Sequence, residues 1–208
     1  TFDEHLRLLS KVLGKIKEAN LCINKDKSEF CRSQVKYLGF LVNSAGFHID
    51  PDKVSPVLEY PAPKNLKQLR RFLGMASWYR RFIPQFASIA EALTKKTQPW
   101  TWNSEQGTAF GALKVALTSP STLSCPDFSV PFSLQTDAMT VGLGAVLTQV
   151  LDGEERVIAY ASRALTSAEQ KYTVTELECL AVIWSISKFR CYLEGYSFTV
   201  ITDHSSLR

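Results

Sequence analysis

Three carboxylates stand where the sequence could build a metal site. Asp137 closes a segment in which Phe132, Leu134 and Thr136 alternate with Ser133 and Gln135, the period-two pattern of a strand. Asp203 ends a second such segment, Phe198–Thr202. Glu178 lies in a helical stretch on the face carrying Ala181, Val182, Ser185, Ile186 and Phe189, so it should point inward. A buried carboxylate without a partner is costly, and cations are a natural remedy. Oxygen ligands from three separate elements suit Mg²⁺. Two such ions about 3.5–4 Å apart would activate water and stabilise the leaving oxygen of a phosphodiester. Asp also serves as a turn former and Glu as a solvated helix charge, so spacing alone leaves both readings open. Glu176 should project away from the core face. His5, His48 and His204 share no ligand spacing, and His204 is either a neighbour of the site or a turn residue. Gly142-Leu143-Gly144 resembles part of a phosphate loop, but no helix follows it, which favours close backbone packing. Cys179 should pack rather than react.

Those carboxylates need a sheet and a covering helix. Pro131–Thr136, Gly142–Val150 and Val157–Ser162 read as strands, with Asp152-Gly153 turning between the last two. Ser167 is the expected cap of a long helix from about 168 to 193, ended near Gly195. Three strands, a helix and a strand make a mixed sheet with a helical crossover to a parallel neighbour. Both strand-end aspartates would then emerge at one sheet edge.

Upstream, 3–19 reads as an amphipathic helix, with Leu6, Leu9, Leu13 and Ile16 at helical spacing. Leu21-Cys22-Ile23 and Val35–Val42 read as strands, and Asn43-Ser44-Ala45-Gly46 as a turn that makes 35–50 a hairpin. Asp50-Pro51 opens a short helix to about Tyr60. After the break at Pro61-Ala62-Pro63, Asn65 should cap a helix through about Arg81 with Leu66, Leu69, Leu73 and Ala76 on one face. A second helix should run through Phe86, Ile89, Ala90 and Leu93, and a third over 104–118, capped by Ser104. Pro120, Pro126 and Pro131 punctuate the link to the last segment.

Charge divides the 208 residues. Residues 1–124 hold 18 Lys and Arg against 10 Asp and Glu, whereas 125–208 hold 6 against 10. The surplus peaks where Lys64, Lys67, Arg70, Arg71, Arg80, Arg81, Lys95 and Lys96 face only Glu91. A basic unit joined to an acidic one suits a protein that holds a polyanion with one part and gathers cations with the other, although lysines and arginines also simply solvate helices. At 45% apolar and with 10 Gly and 9 Pro, the composition excludes disorder and collagen. No run approaches the roughly 20 apolar residues of a membrane span, and the start is unlike a signal peptide. Five cysteines without CxxC spacing point to a reduced, intracellular protein.

Tyr37-Leu38-Gly39-Phe40, Leu69-Arg70-Arg71-Phe72-Leu73-Gly74 and Tyr79-Arg80-Arg81-Phe82-Ile83 resemble the polymerase portion of gypsy-type LTR retrotransposon Pol polyproteins. Thr136-Asp137-Ala138, Gly142–Leu147, Tyr172–Glu178, Phe189–Leu193 and Thr202-Asp203-His204 resemble the ribonuclease H portion that follows. The resemblance implies an α+β and α/β multi-subdomain fold: a partial palm over 1–60, a helical thumb over 61–98, a connection over 99–130 and an incomplete ribonuclease H-like mixed sheet over 131–208. It places Tyr37, Leu38 and Gly39 near the primer grip, and Asp137, Glu178 and Asp203 on the first three metal-binding carboxylates. The basic helical unit contributes Lys67, Arg70, Arg71, Arg80 and Arg81 as expected nucleic-acid contacts. Cofactors would be two Mg²⁺ ions, with Mn²⁺ as the alternative. Expected partners are an RNA–DNA hybrid or template–primer, the remainder of the Pol polyprotein and a second copy in a dimer, with no membrane. Expected locations are the cytoplasm, a virus-like particle or the nucleus.

The sequence departs from the family in having no Tyr-x-Asp-Asp, and Met139 replaces the usual small serine after Asp137-Ala138. The missing polymerase aspartate pair and fourth ribonuclease H carboxylate read as truncation at both ends. Two functions follow: a reverse transcriptase and ribonuclease H fragment cutting the RNA strand of hybrids, or a non-catalytic nucleic-acid binder, a remnant or domesticated copy, that uses only the basic helices.

Overall fold

Short polar side chains set the helix starts in this chain, and the computed structural model, which describes residues 1–95, 100–119 and 121–207, shows which ones act. Lys96, Pro120 and Arg208 lie outside the described residues. The chain divides into two units, residues 1–35 and 36–208. The first is built on α1 (Phe2–Glu18), whose Thr1 side chain accepts the Glu4 N–H. No residue of α1 is buried. Leu21-Cys22-Ile23 is not a strand: none of the strands pairs with it, and an extended segment needs a partner for its ladder.

Next along the chain comes a three-stranded sheet, β1 (Gln34–Tyr37), β2 (Phe40–Asn43) and β3 (Gly46–Ile49). The single strand expected over 35–42 is broken by Leu38 and Gly39, at φ 50° and 85°, the left-handed pair that turns a chain back in two residues. Asp50 caps α2 (Pro51–Leu58) and Asn65 caps α3 (Leu66–Ser77) through their side chains, as their types predict. α3 ends at Ser77 rather than Arg81, and a 3-10 turn takes up Arg80–Phe82. The next helix is two short pieces, α4 (Phe86–Ile89) and α5 (Glu91–Thr94). Asn103, not Ser104, caps α6 (Ser104–Thr118), because its side chain and that of Gln106 form a reciprocal capping box. Phe72, Phe82, Ile83, Leu113 and Leu117 centre the apolar core among these helices.

Four strands form the second sheet, β4 (Phe132–Met139), β5 (Gly142–Leu151), β6 (Glu154–Ala164) and β7 (Phe198–Ile201), in the order β6-β5-β4-β7. β4 to β6 are antiparallel, and β7 runs parallel to β4. Asp152 and Gly153, at φ 56° and 81°, make the expected turn. The crossover carries α7 (Val174–Lys188) and the one-turn α8 (Arg190–Leu193). The cap of α7 lies six residues later than the expected Ser167. Thr173 caps it in a reciprocal box with Glu176, whereas 169–171 is only a 3-10 turn.

Gln149, fully buried in β5, pins the entry to β4. Its Oε1 accepts the Asp127 N–H at 3.0 Å, and its Nε2 donates to the Asp127 and Val130 carbonyls at 2.7 Å each. Gln149→Ala leaves three backbone groups without that partner. Urea unfolding should show a loss of about 2–3 kcal/mol, the range for buried groups left unpaired.

Candidate nuclease-like site and basic helix face

The register of β4 against β7 decides where the two aspartates come. Their last ladder pair is Gln135 with Ile201, and two residues further along the chain from each stand Asp137 and Asp203. Asp137 lies inside β4, paired with Gly144 of β5, rather than at the strand's end. What ends before it is the pairing with β7, so the sheet opens between the two aspartates. Both are exposed.

Glu178 reaches this rim from α7, which packs on β4 and β5. It is 5% exposed, on the helix face shared with Leu177, Ala181 and Ser185. Glu176 is exposed and occupied with the helix cap. Burial raises the Glu178 pKa above the usual carboxylate range, and the charges of Asp203 and Asp137 raise it further. The Ala138 N–H and His204 act the other way. Its Oε2 is buried and has no partner among the described residues. The three carboxylates therefore share one electrostatic field. They do not close on one point: among the described residues no three His, Cys, Asp or Glu side chains stand together as a metal cage. Hard oxygen donors around an unpartnered buried oxygen fit a divalent cation that keeps water among its ligands.

The approach to α7 is held by an ion pair. Arg163 of β6 donates to both Glu169 oxygens at 2.7 and 3.0 Å, and lies over the Trp184 ring at 5.7 Å. Glu169 also accepts the Thr166 N–H.

The expected nucleic-acid contacts separate into two groups. Lys64, Lys67, Arg70 and Arg71 are exposed. Arg80 and Arg81 are half-buried and engaged with protein. Arg80 donates to the Ser162 carbonyl and lies over Phe86. Arg81 reaches the Tyr192 hydroxyl at 3.4 Å and lies over Phe47 and Phe82. The sequence reading did not count Gly74 and Trp78 among the expected contacts, although they follow Lys67, Arg70 and Arg71 at helical spacing and share their exposure. Trp78 is 57% exposed, and its ring stacks on Phe40 at 6.3 Å. The Gly39 turn sits against it, and Tyr37 and Leu38 are 61% and 65% exposed. Counting on from Lys67 by 7 and 11 residues would have found both positions.

A family profile described as the RNase H-like domain found in reverse transcriptase matches residues 102–200. That span takes in Asp137 and Glu178 and stops before Asp203. The chain is 40% identical to the retrovirus-related Pol polyprotein from transposon opus of Drosophila melanogaster, over 99% of its own length and 22% of the relative's. It is 39% identical to the transposon Tf2-3 polyprotein of Schizosaccharomyces pombe, over 99% and 16%. Its homologues are thus Pol polyproteins of gypsy-type retrotransposons. It spans about a fifth of the length of these relatives. Its structure resembles the foamy viral protease-reverse transcriptase solved with double-stranded DNA, at TM-score 0.83 and 25% identity over 98% of this chain and 37% of that one. The same viral protein solved with an RNA/DNA hybrid gives 0.81 at 25% identity, over 98% and 28%. The mixed fold of this Pol segment is thus that of reverse transcriptase with its RNase H-like sheet.

Glu169 gives a pH test of the α7 approach. The Arg163 guanidinium and the Thr166 N–H hold its pKa at about 2, against an ordinary value of 4.5. Its contribution is present above pH 4.5 and lost as pH falls toward 2. Glu169→Gln should cost about 1 kcal/mol at pH 6, the range for a well-formed pair that is partly exposed. Urea midpoints of variant and wild type should converge below pH 3.

Proposed function

We propose that this Pol segment binds an RNA–DNA hybrid and, within the polyprotein, serves reverse transcription and hydrolysis of the RNA strand. The carrying observation is the Glu178 carboxylate, buried with Oε2 unpartnered in the field of Asp203 and Asp137. We assign Asp137, Glu178 and Asp203 to hold Mg²⁺, or Mn²⁺ in its place. The bound ions would activate water and stabilise the leaving oxygen of the cut RNA strand. Glu178 anchors from below, fixed by α7, while the exposed aspartates face the substrate.

Lys64, Lys67, Arg70 and Arg71 take the phosphates along α3. Gly74 lets a backbone approach closely, and Trp78 with Leu38 and Tyr37 offers apolar contact to sugars and bases. Arg80 and Arg81 hold the helices to the sheet. In this reading 1–60 is the palm remnant, 61–98 the thumb, 99–130 the connection and 131–208 the ribonuclease H-like part. A second reading, a non-catalytic binder, is supported by the carboxylates' failure to close into a cage among the described residues.

Cleavage of a labelled hybrid by a longer stretch of the parent polyprotein decides between them. Asp137→Asn, Glu178→Gln and Asp203→Asn should each lower the rate by roughly 100-fold or more, as expected for loss of several kcal/mol of metal-borne stabilisation, while hybrid binding persists. Wild-type cleavage equal to that of the variants would leave the binder. In the 208-residue chain, replacing Lys67, Arg70 and Arg71 with Ala should reduce the slope of log affinity against log salt by about 2–3, close to one unit per phosphate contact.

A further inference from the structure

Asp203 and Glu178 sit on elements that the sheet does not tie together at this rim. β7 is an edge strand of four residues whose pairing ends at Ile201, and Glu178 belongs to a helix. Something beyond the ladder must set their separation. Thr175 lies one helical turn before Glu178, on the same side of α7. Its Oγ1 is 3.4 Å from Nε2 of His204, 29 residues away in sequence. His204 follows Asp203 directly, and its backbone N–H donates to Thr202 Oγ1 at 3.2 Å, which fixes the chain's course out of β7. The second ring nitrogen, Nδ1, is buried without a partner among the described residues. One edge of the half-buried imidazole is thus committed to α7, and its other nitrogen is turned away from solvent.

We infer that His204 is a positioning residue: its bond to Thr175 braces the exit of β7 against the first turn of α7 and sets the spacing of Asp203 from Glu178. The brace needs a ring nitrogen and a hydroxyl, not a charge. The inference rests on the reading of these carboxylates as metal-holding groups. It adds a residue that touches neither metal nor substrate.

Two measurements on the whole chain separate the brace from that reading. Hydrogen exchange at the amides of 177–181 reports how firmly the start of α7 is held, and Mn²⁺ titration reports the carboxylate spacing. Thr175→Val and His204→Ala should speed exchange and weaken Mn²⁺ binding, each by roughly threefold to tenfold, the worth of one net hydrogen bond. His204→Gln, whose amide can reach Thr175, should restore both toward wild type. Asp203→Asn should weaken Mn²⁺ binding without changing exchange. Wild-type exchange in both Thr175→Val and His204→Ala would overturn the brace. If the wild-type chain takes up no Mn²⁺, the metal assignment falls, and the exchange result still decides whether His204 ties the two elements.

Discussion

A carboxylate that is 5% exposed, with one oxygen unpartnered and two further carboxylates in its field, is unfavourable on its own. Removing charge from water costs free energy, and like charges nearby add to it. A core selected for stability alone would carry an apolar or paired side chain at 178. The surrounding structure accepts that cost and places it at a particular spot. α7 is capped six residues after Ser167, its N-terminus is steered by the Arg163–Glu169 pair, and its inner face packs on β4 and β5. Each feature bears on where Glu178 comes to rest against the opening between β4 and β7.

The same sheet carries the helical unit on its other elements. Ser162, buried in β6, takes the Arg80 guanidinium on its carbonyl and the Ala87 N–H on its hydroxyl. Tyr160 meets Ser121, and Ser88 approaches Met139 of β4. Burial lowers the pKa of Arg80, the expected sign for a cation removed from water. These contacts explain why a basic cluster that is uniform in sequence divides in space. Some guanidiniums act as internal struts, and the exposed Lys67, Arg70 and Arg71 remain on a helix face that also presents Gly74 and Trp78. A polyanion meeting α3 would find charge, bare backbone and an aromatic ring in one row.

Similarity to Pol polyproteins along nearly the whole chain gives these surfaces a common setting. The relatives are about five to six times as long as this chain. Within this chain, the exposed basic face of α3 and the acidic rim of the sheet belong to one unit, residues 36–208. Both are held by packed side chains rather than by a linker.

Much of this was legible in the residues themselves. Period-two alternation located β4 to β7, Asp152-Gly153 located their turn, and Asp50 and Asn65 announced two helices, because hydrophobic period and capping chemistry are local properties. The inward face of Glu178 followed from helical spacing for the same reason. Other features were settled only by contacts between distant parts. The break at Leu38-Gly39 interrupts an apparently continuous apolar strand, because those residues take left-handed backbone against Trp78. Thr173 prevailed over Ser167, and Asn103 over Ser104, because a cap needs its reciprocal partner at the right distance as well as a suitable side chain. Gln149, Ser162 and Thr175 carry no sequence signal. Their roles come from backbone and side-chain groups 19 to 82 residues away, which only the folded chain brings within hydrogen-bond range.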